Sequence, residues 1–119
     1  MSMLAAAAML TALADPNVHP IDERIVTTFY DADRLVAQCE KNDLACYAYI
    51  AGVTDTLATA TAYGATVAGL QACIPYGVNL KQLEQTVIEF LRAHSQEIHK
   101  TAAGAVAVAL TLSFPCTNM

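Results

Sequence analysis

Apolar and polar positions alternate along the chain in blocks that read as helices. In "DADRLVAQCE" (31–40), Leu35, Val36 and Cys39 recur at helical spacing, and Asp31 stands where an N-cap is expected. This predicts a helix from about Asp31 to Glu40. Before it, Ile25, Val26, Phe29 and Tyr30 are apolar, but Thr27 and Thr28 weaken the helical tendency, so the segment reads as an extended arm. "KND" (41–43) reads as a connection, with Asp43 as cap of the next helix. That helix runs through "LACYAYIAGVTDTLATAT", where Cys46, Ile50, Val53 and Leu57 form one apolar stripe with Asp55 beside it.

The period then disappears. "AYGATVAGLQA" (62–72) holds two glycines and no charge, and reads as a loop that either packs back onto the domain as a cover or forms a contact surface. Pro75-Tyr76-Gly77 is a turn signal, with Gly77 free to take a positive φ. Asn79 and Gln82 stand at capping-box spacing. Leu80, Leu83, Val87, Phe90 and Leu91 follow on one face, opposite Lys81, Glu84, Gln85 and Glu89. "AHSQEIHK" (93–100) breaks this helix. The last helix is expected to start at a Ser95 cap with Glu97 in its first turn, and to bury Ile98, Ala102, Val106 and Leu110. Pro115 ends it. The expected fold is all-α, a small bundle of four to five helices.

Composition narrows the function. At 119 residues there is room for one domain and one modest core. Eleven acidic against six basic residues give a net charge of −5, and tryptophan is absent. Both weigh against a nucleic-acid binder, which would show a basic patch and stacking aromatics. "MSMLAAAAMLTALA" (1–14) is uncharged and ends in a small-residue pattern of the kind a signal peptidase cuts, although it lacks a basic start. It is too short to span a bilayer. The alternative is an alanine-rich first helix. The organisation expected is a leader over 1–14, an N-terminal arm over 15–30 and a helical domain over 31–119.

The four cysteines are Cys39, Cys46, Cys73 and Cys116, an even number that suits a disulfide framework in an oxidising compartment. Cys39 ends one predicted helix and Cys46 begins the next. Cys73 precedes the third helix and Cys116 follows the fourth, so an antiparallel pair would bring their ends together. The expected pairs are Cys39–Cys46 and Cys73–Cys116, with Cys46–Cys73 as the rival. In the chain-entropy model the long bridge contributes about 4 kcal/mol and the short one about 2.5 kcal/mol. Zinc is disfavoured, because the cysteines lack a paired knuckle spacing and His94 and His99 diverge on a continuous helix. No phosphate-cradling loop, metalloprotease helix, nucleophile elbow or cofactor motif appears, so neither an enzyme nor a cofactor is expected.

Several motifs together carry a family resemblance. "CEKNDLACYAYIAGVTDTL" (39–57), "CIPYGVNLKQLEQTVIEFLRAHSQEIH" (73–99) and "AVALTLSFPC" (107–116) resemble the Rap/Tai family of type VI secretion immunity proteins. The most specific parts are C-I-P-x-G-V, the His94, Glu97 and His99 spacing, and the closing F-P-C. Ser95 stands where the family pattern has proline. The resemblance implies a small helical periplasmic protein, often a homodimer, that binds and blocks a peptidoglycan amidase toxin. For self-association, the alanine-rich last helix or Ile50, Val53 and Leu57 could supply a face.

The expected function is therefore a periplasmic immunity-type protein occluding an amidase active site. The alternative is an envelope structural, stress or chaperone-like protein of the same fold. Loops on a rigid scaffold commonly carry binding, which makes Tyr63, Gly64, Thr66, Gln71 and Tyr76 the expected partner contacts.

Overall fold

The computed structural model describes residues 28–41, 43–94 and 101–117. They form α1 (Ala32–Lys41), α2 (Asp43–Ala62), α3 (Leu80–Ala93) and α4 (Ala102–Ser113). Each helix packs against the other three, and among the described residues the β-type pairing is a single bridge between Val67 and Leu70. The fold is all-α, as the periodicity requires. The leader over 1–14 and most of the arm lie outside the described residues.

Asp31 starts α1 as expected: its carboxylate accepts the Arg34 amide at 2.8 Å and its carbonyl accepts the Leu35 amide at 3.1 Å. Ala32, Leu35 and Cys39 point into the core. α2 differs slightly from expectation. Asp43 is its first residue and not the residue before it, so its carboxylate acts on the helix dipole from within the first turn. The buried stripe of α2 is Cys46, Ile50, Thr54 and Leu57, with Val53 only half-buried beside it.

α3 carries the expected capping box. The Asn79 amide donates to Gln82 Oε1 at 2.9 Å, and the Gln82 amide donates to Asn79 Oδ1 at 2.8 Å. Leu83, Val87, Ile88 and Leu91 are buried, whereas Glu84, expected on the outer face, is half-buried.

α4 starts later than predicted. Its cap is Thr101, whose Oγ1 accepts the Gly104 amide at 3.0 Å. Ser95, Glu97 and Ile98 lie outside the described residues. The Ala102 amide, another free donor of the first turn, donates to the Tyr30 carbonyl at 3.0 Å. Every residue from Ala105 to Thr111 is buried. A helix apolar on all sides belongs in a core, and α4 is the helix the other three surround. The core takes up Ala105 to Leu110 of α4 together with Ile50 and Leu57, all buried.

Both expected disulfides are present. Cys39–Cys46 closes the α1–α2 corner with its Cα atoms 4.6 Å apart, and Cys73–Cys116 joins the start of the α3 approach to the tail after α4 with 5.0 Å. This excludes the rival Cys46–Cys73 pairing. No described helix is long and apolar enough to cross a membrane.

Candidate functional site: an uncharged, pinned loop

The connection between α2 and α3 carries the expected contact residues. No charged side chain occurs from Thr56 to Leu80. Such a segment would be expected to collapse or wander, yet nearly every turn of it is fastened.

The first fastening is the end of α2. The Ala65 amide donates to the Ala60 carbonyl at 2.7 Å and the Gly64 amide to the Thr61 carbonyl at 3.1 Å. This is a Schellman termination, and Gly64 supplies its left-handed residue with φ 73°. Gly64 therefore shapes the backbone, which a glycine one residue past the last helical turn could have signalled. Ala68 (φ 53°) and Gly69 (φ 78°) then make a tight turn closed by reciprocal bonds between Val67 and Leu70, at 3.0 and 2.8 Å. The turn drives Leu70 into the core at 0 % exposure, with Ala72 at 2 %. The periodicity gave no sign of this plug, because a single buried side chain has no period.

The backbone next to the plug is braced. Thr61 Oγ1 donates to the Leu57 carbonyl at 2.9 Å and accepts the Ala72 amide at 3.1 Å. The Cys73 amide donates to the Phe114 carbonyl at 2.8 Å, alongside the disulfide. Pro75 to Val78 form the second turn, with the Val78 amide 3.5 Å from the Pro75 carbonyl and Gly77 at φ 95°. Positive φ at the third turn position is what a type II turn requires, and it places Tyr76 at the tip.

The five expected contact residues separate into two kinds. Tyr63 (85 % exposed) and Tyr76 (107 %) project fully into solvent, and Thr66 is exposed beside the first turn. Gly64 and Gln71 also hold the loop. The Gln71 carboxamide turns back to donate to the Ala65 carbonyl at 3.0 Å. The structure thus offers two exposed aromatic side chains on two hydrogen-bonded turns of one uncharged loop. Tyrosine is well suited to such contacts, having a large amphipathic ring and few rotatable bonds.

The other end of α2, about 30 Å away by helical rise, is charged. A cleft of about 230 Å³ there is lined by Cys39, Asp43, Glu84, Gln85, Ile88, Glu89 and Arg92. Arg92 reaches Glu40 at 3.4 Å across the surface. Glu84 Oε2 is closed off from water with no hydrogen-bond partner. Burial first, and the Asp43 charge second, raise the Glu84 pKa, with Lys81 opposing. Burial likewise raises the pKa of Tyr49, against a hydrogen bond with the Ala103 backbone. His94 is engaged locally, its Nδ1 2.9 Å from the Phe90 carbonyl and its ring stacked on Phe90. His99 lies outside the described residues. Asp55 is exposed on α2.

Residues 31–116 match the family model of the Rap1a immunity proteins. No curated protein and no solved structure matches the chain.

Proposed function

The chain belongs to the Rap1a immunity proteins, and from that premise we propose that it is a periplasmic binding protein that neutralises a peptidoglycan amidase toxin by inserting its α2–α3 loop over the toxin's active site. The observation that carries this reading is the loop itself. Tyr63 and Tyr76 are presented bare on a backbone already fixed by the Schellman turn, the Leu70 plug and the Cys73–Cys116 bridge. A contact surface fixed beforehand loses little entropy on docking, which is how a small interface reaches high affinity.

Inhibition of this kind asks no chemistry of the chain. Occlusion needs shape, rigidity and anchors that fill a cleft, and central tyrosines are recurrent hot spots of such interfaces. The two disulfides favour an oxidising compartment outside the cytosol, where the cell-wall substrate of an amidase also lies.

The test is affinity capture from envelope extracts with the oxidised, tagged domain. Recovery of one stoichiometric cell-wall hydrolase whose activity falls on binding supports the reading. A scatter of substoichiometric clients would replace it with a general envelope role.

A further inference from the structure

The two disulfides stand in different surroundings. Cys46 is 0 % and Cys39 9 % exposed, inside the packed α1–α2 corner. Cys73 and Cys116 are both only half-buried. Thiol–disulfide exchange requires an attacking thiolate to reach a sulfur, so access discriminates between bridges.

What each bridge holds also differs. Cys39–Cys46 joins two helices that already pack side by side. Cys73–Cys116 joins the non-helical connection to the tail beyond α4. Without it, the second half of the loop is tied to the helices by the buried Leu70 and Ala72, the half-buried Ile74 and Val78, and the hydrogen bonds of the Ala72 amide to Thr61 Oγ1 and the Cys73 amide to the Phe114 carbonyl, its other hydrogen bonds being within the loop. Segments with few buried contacts open locally at low cost, independently of the core. The packing of α4 against its three neighbours does not pass through this bridge.

We propose that Cys73–Cys116 is a redox latch. Its reduction releases the aromatic loop while the four-helix core, with Cys39–Cys46 intact, stays folded. A thiolate of an external dithiol attacks one sulfur of the bridge, forming a mixed disulfide and expelling the other sulfur as a thiolate. The second thiol of the reductant resolves the mixed disulfide. Two electrons and two protons pass to Cys73 and Cys116, which end as thiols, and the dithiol leaves as its own disulfide. The chain would thus present its docking loop only in an oxidising compartment. That consequence rests on the docking-loop reading, whereas the latch itself is tested on the chain alone.

The experiment treats the oxidised chain with graded dithiothreitol, blocks the free thiols with iodoacetamide, and locates the label by mass spectrometry. Amide exchange and far-ultraviolet circular dichroism are recorded on the same samples. The latch requires Cys73 and Cys116 to be labelled first. At that stage the Leu70, Ala72 and Cys73 amides should exchange roughly tenfold faster with the helical signal unchanged. The Cys73→Ser/Cys116→Ser chain should behave the same way, and the Cys39→Ser/Cys46→Ser chain should keep its loop amides slow relative to its helices. Labelling of Cys39 and Cys46 first, unchanged loop exchange, or helical signal lost in step with the loop would each overturn it. So would an unfolded Cys73→Ser/Cys116→Ser chain.

Discussion

The Cys73 amide donates to the Phe114 carbonyl at 2.8 Å, so the loop is joined to the end of α4 by a hydrogen bond as well as by the Cys73–Cys116 bridge. Phe114 is itself the C-cap of α4, its amide bonded to the Leu110 carbonyl. The loop is thereby referenced to the most deeply buried helix. On the docking reading proposed above, an uncharged loop has no long-range field to orient an encounter. Here orientation is built into the backbone instead.

If the two tyrosines are the anchors, Tyr63→Ala and Tyr76→Ala should each weaken binding of the captured hydrolase by about 2 kcal/mol, roughly thirtyfold in Kd, as aromatic hot spots do. Both side chains are exposed and leave no cavity, so thermal stability should hold. Calorimetric titration alongside thermal melts separates the two effects. Unchanged affinity in both variants would remove the loop from the interface.

Leu70 is expected to matter for stability. It is fully buried at the base of a tight turn, so Leu70→Ala removes methyl groups and leaves a cavity, costing about 2–5 kcal/mol in urea unfolding. The Gln71→Ala change next to it removes only an exposed bond to the Ala65 carbonyl and should cost about 1 kcal/mol or less.

The approach to α3 can be tested at two neighbouring positions. Asn79→Ala removes the Oδ1 that accepts the Gln82 amide, leaves the residue-79 amide to donate to Gln82 Oε1, and should cost about 1 kcal/mol. Gly77 has open space where a Cβ would sit, so Gly77→Ala meets no clash. Its cost of about 1–2 kcal/mol would come from the positive φ alone. Urea midpoints of the single variants distinguish these from Leu70→Ala by size.

Much of this architecture was legible in the sequence because it is local. Asp31, Asn79 and Gln82 act within one helical turn, and Gly77 serves its own turn. The cysteine pairing followed from which helix ends each residue flanks. The start of α4 was not legible for a physical reason. A helix without a polar face gives its apolar spacing no boundary, so the pattern extends backwards to Ser95, whereas the cap is Thr101. The α2–α3 loop was visible as an uncharged gap that could fold back onto the domain, but the residues that fasten it were not. Leu70 and the Thr61 brace act through contacts between residues distant in sequence, which no local pattern shows.

Two buried hydroxyls predict an unusual gain. Thr54 Oγ1 on α2 and Thr111 Oγ1 on α4 are closed off from water without hydrogen-bond partners, at 8 % and 7 % residue exposure. Leaving such a group unpaired costs about 1–3 kcal/mol. Thr54→Val and Thr111→Val keep the shape and remove the hydroxyl, so each should raise stability by about 1 kcal/mol. A loss would mean that each hydroxyl has a partner in solution.

Glu84 sets the pH dependence at the charged end of α2. Burial, then Asp43, raise its pKa in the folded chain, so the folded state holds this proton more tightly than the unfolded state does. Stability should then fall as pH rises from the ordinary carboxylate pKa through the raised one, with the full penalty present above it. Glu84→Gln removes the charge at every pH and gives Oε2's unpaired position to a neutral amide. The variant should be more stable than the parent at about pH 7, and the gain should vanish near about pH 3, where the parent's carboxyl is protonated too. Urea midpoints of both proteins across that range check the sign. A gain that persisted unchanged at the acid end would show that side-chain shape, not ionisation of Glu84, is responsible.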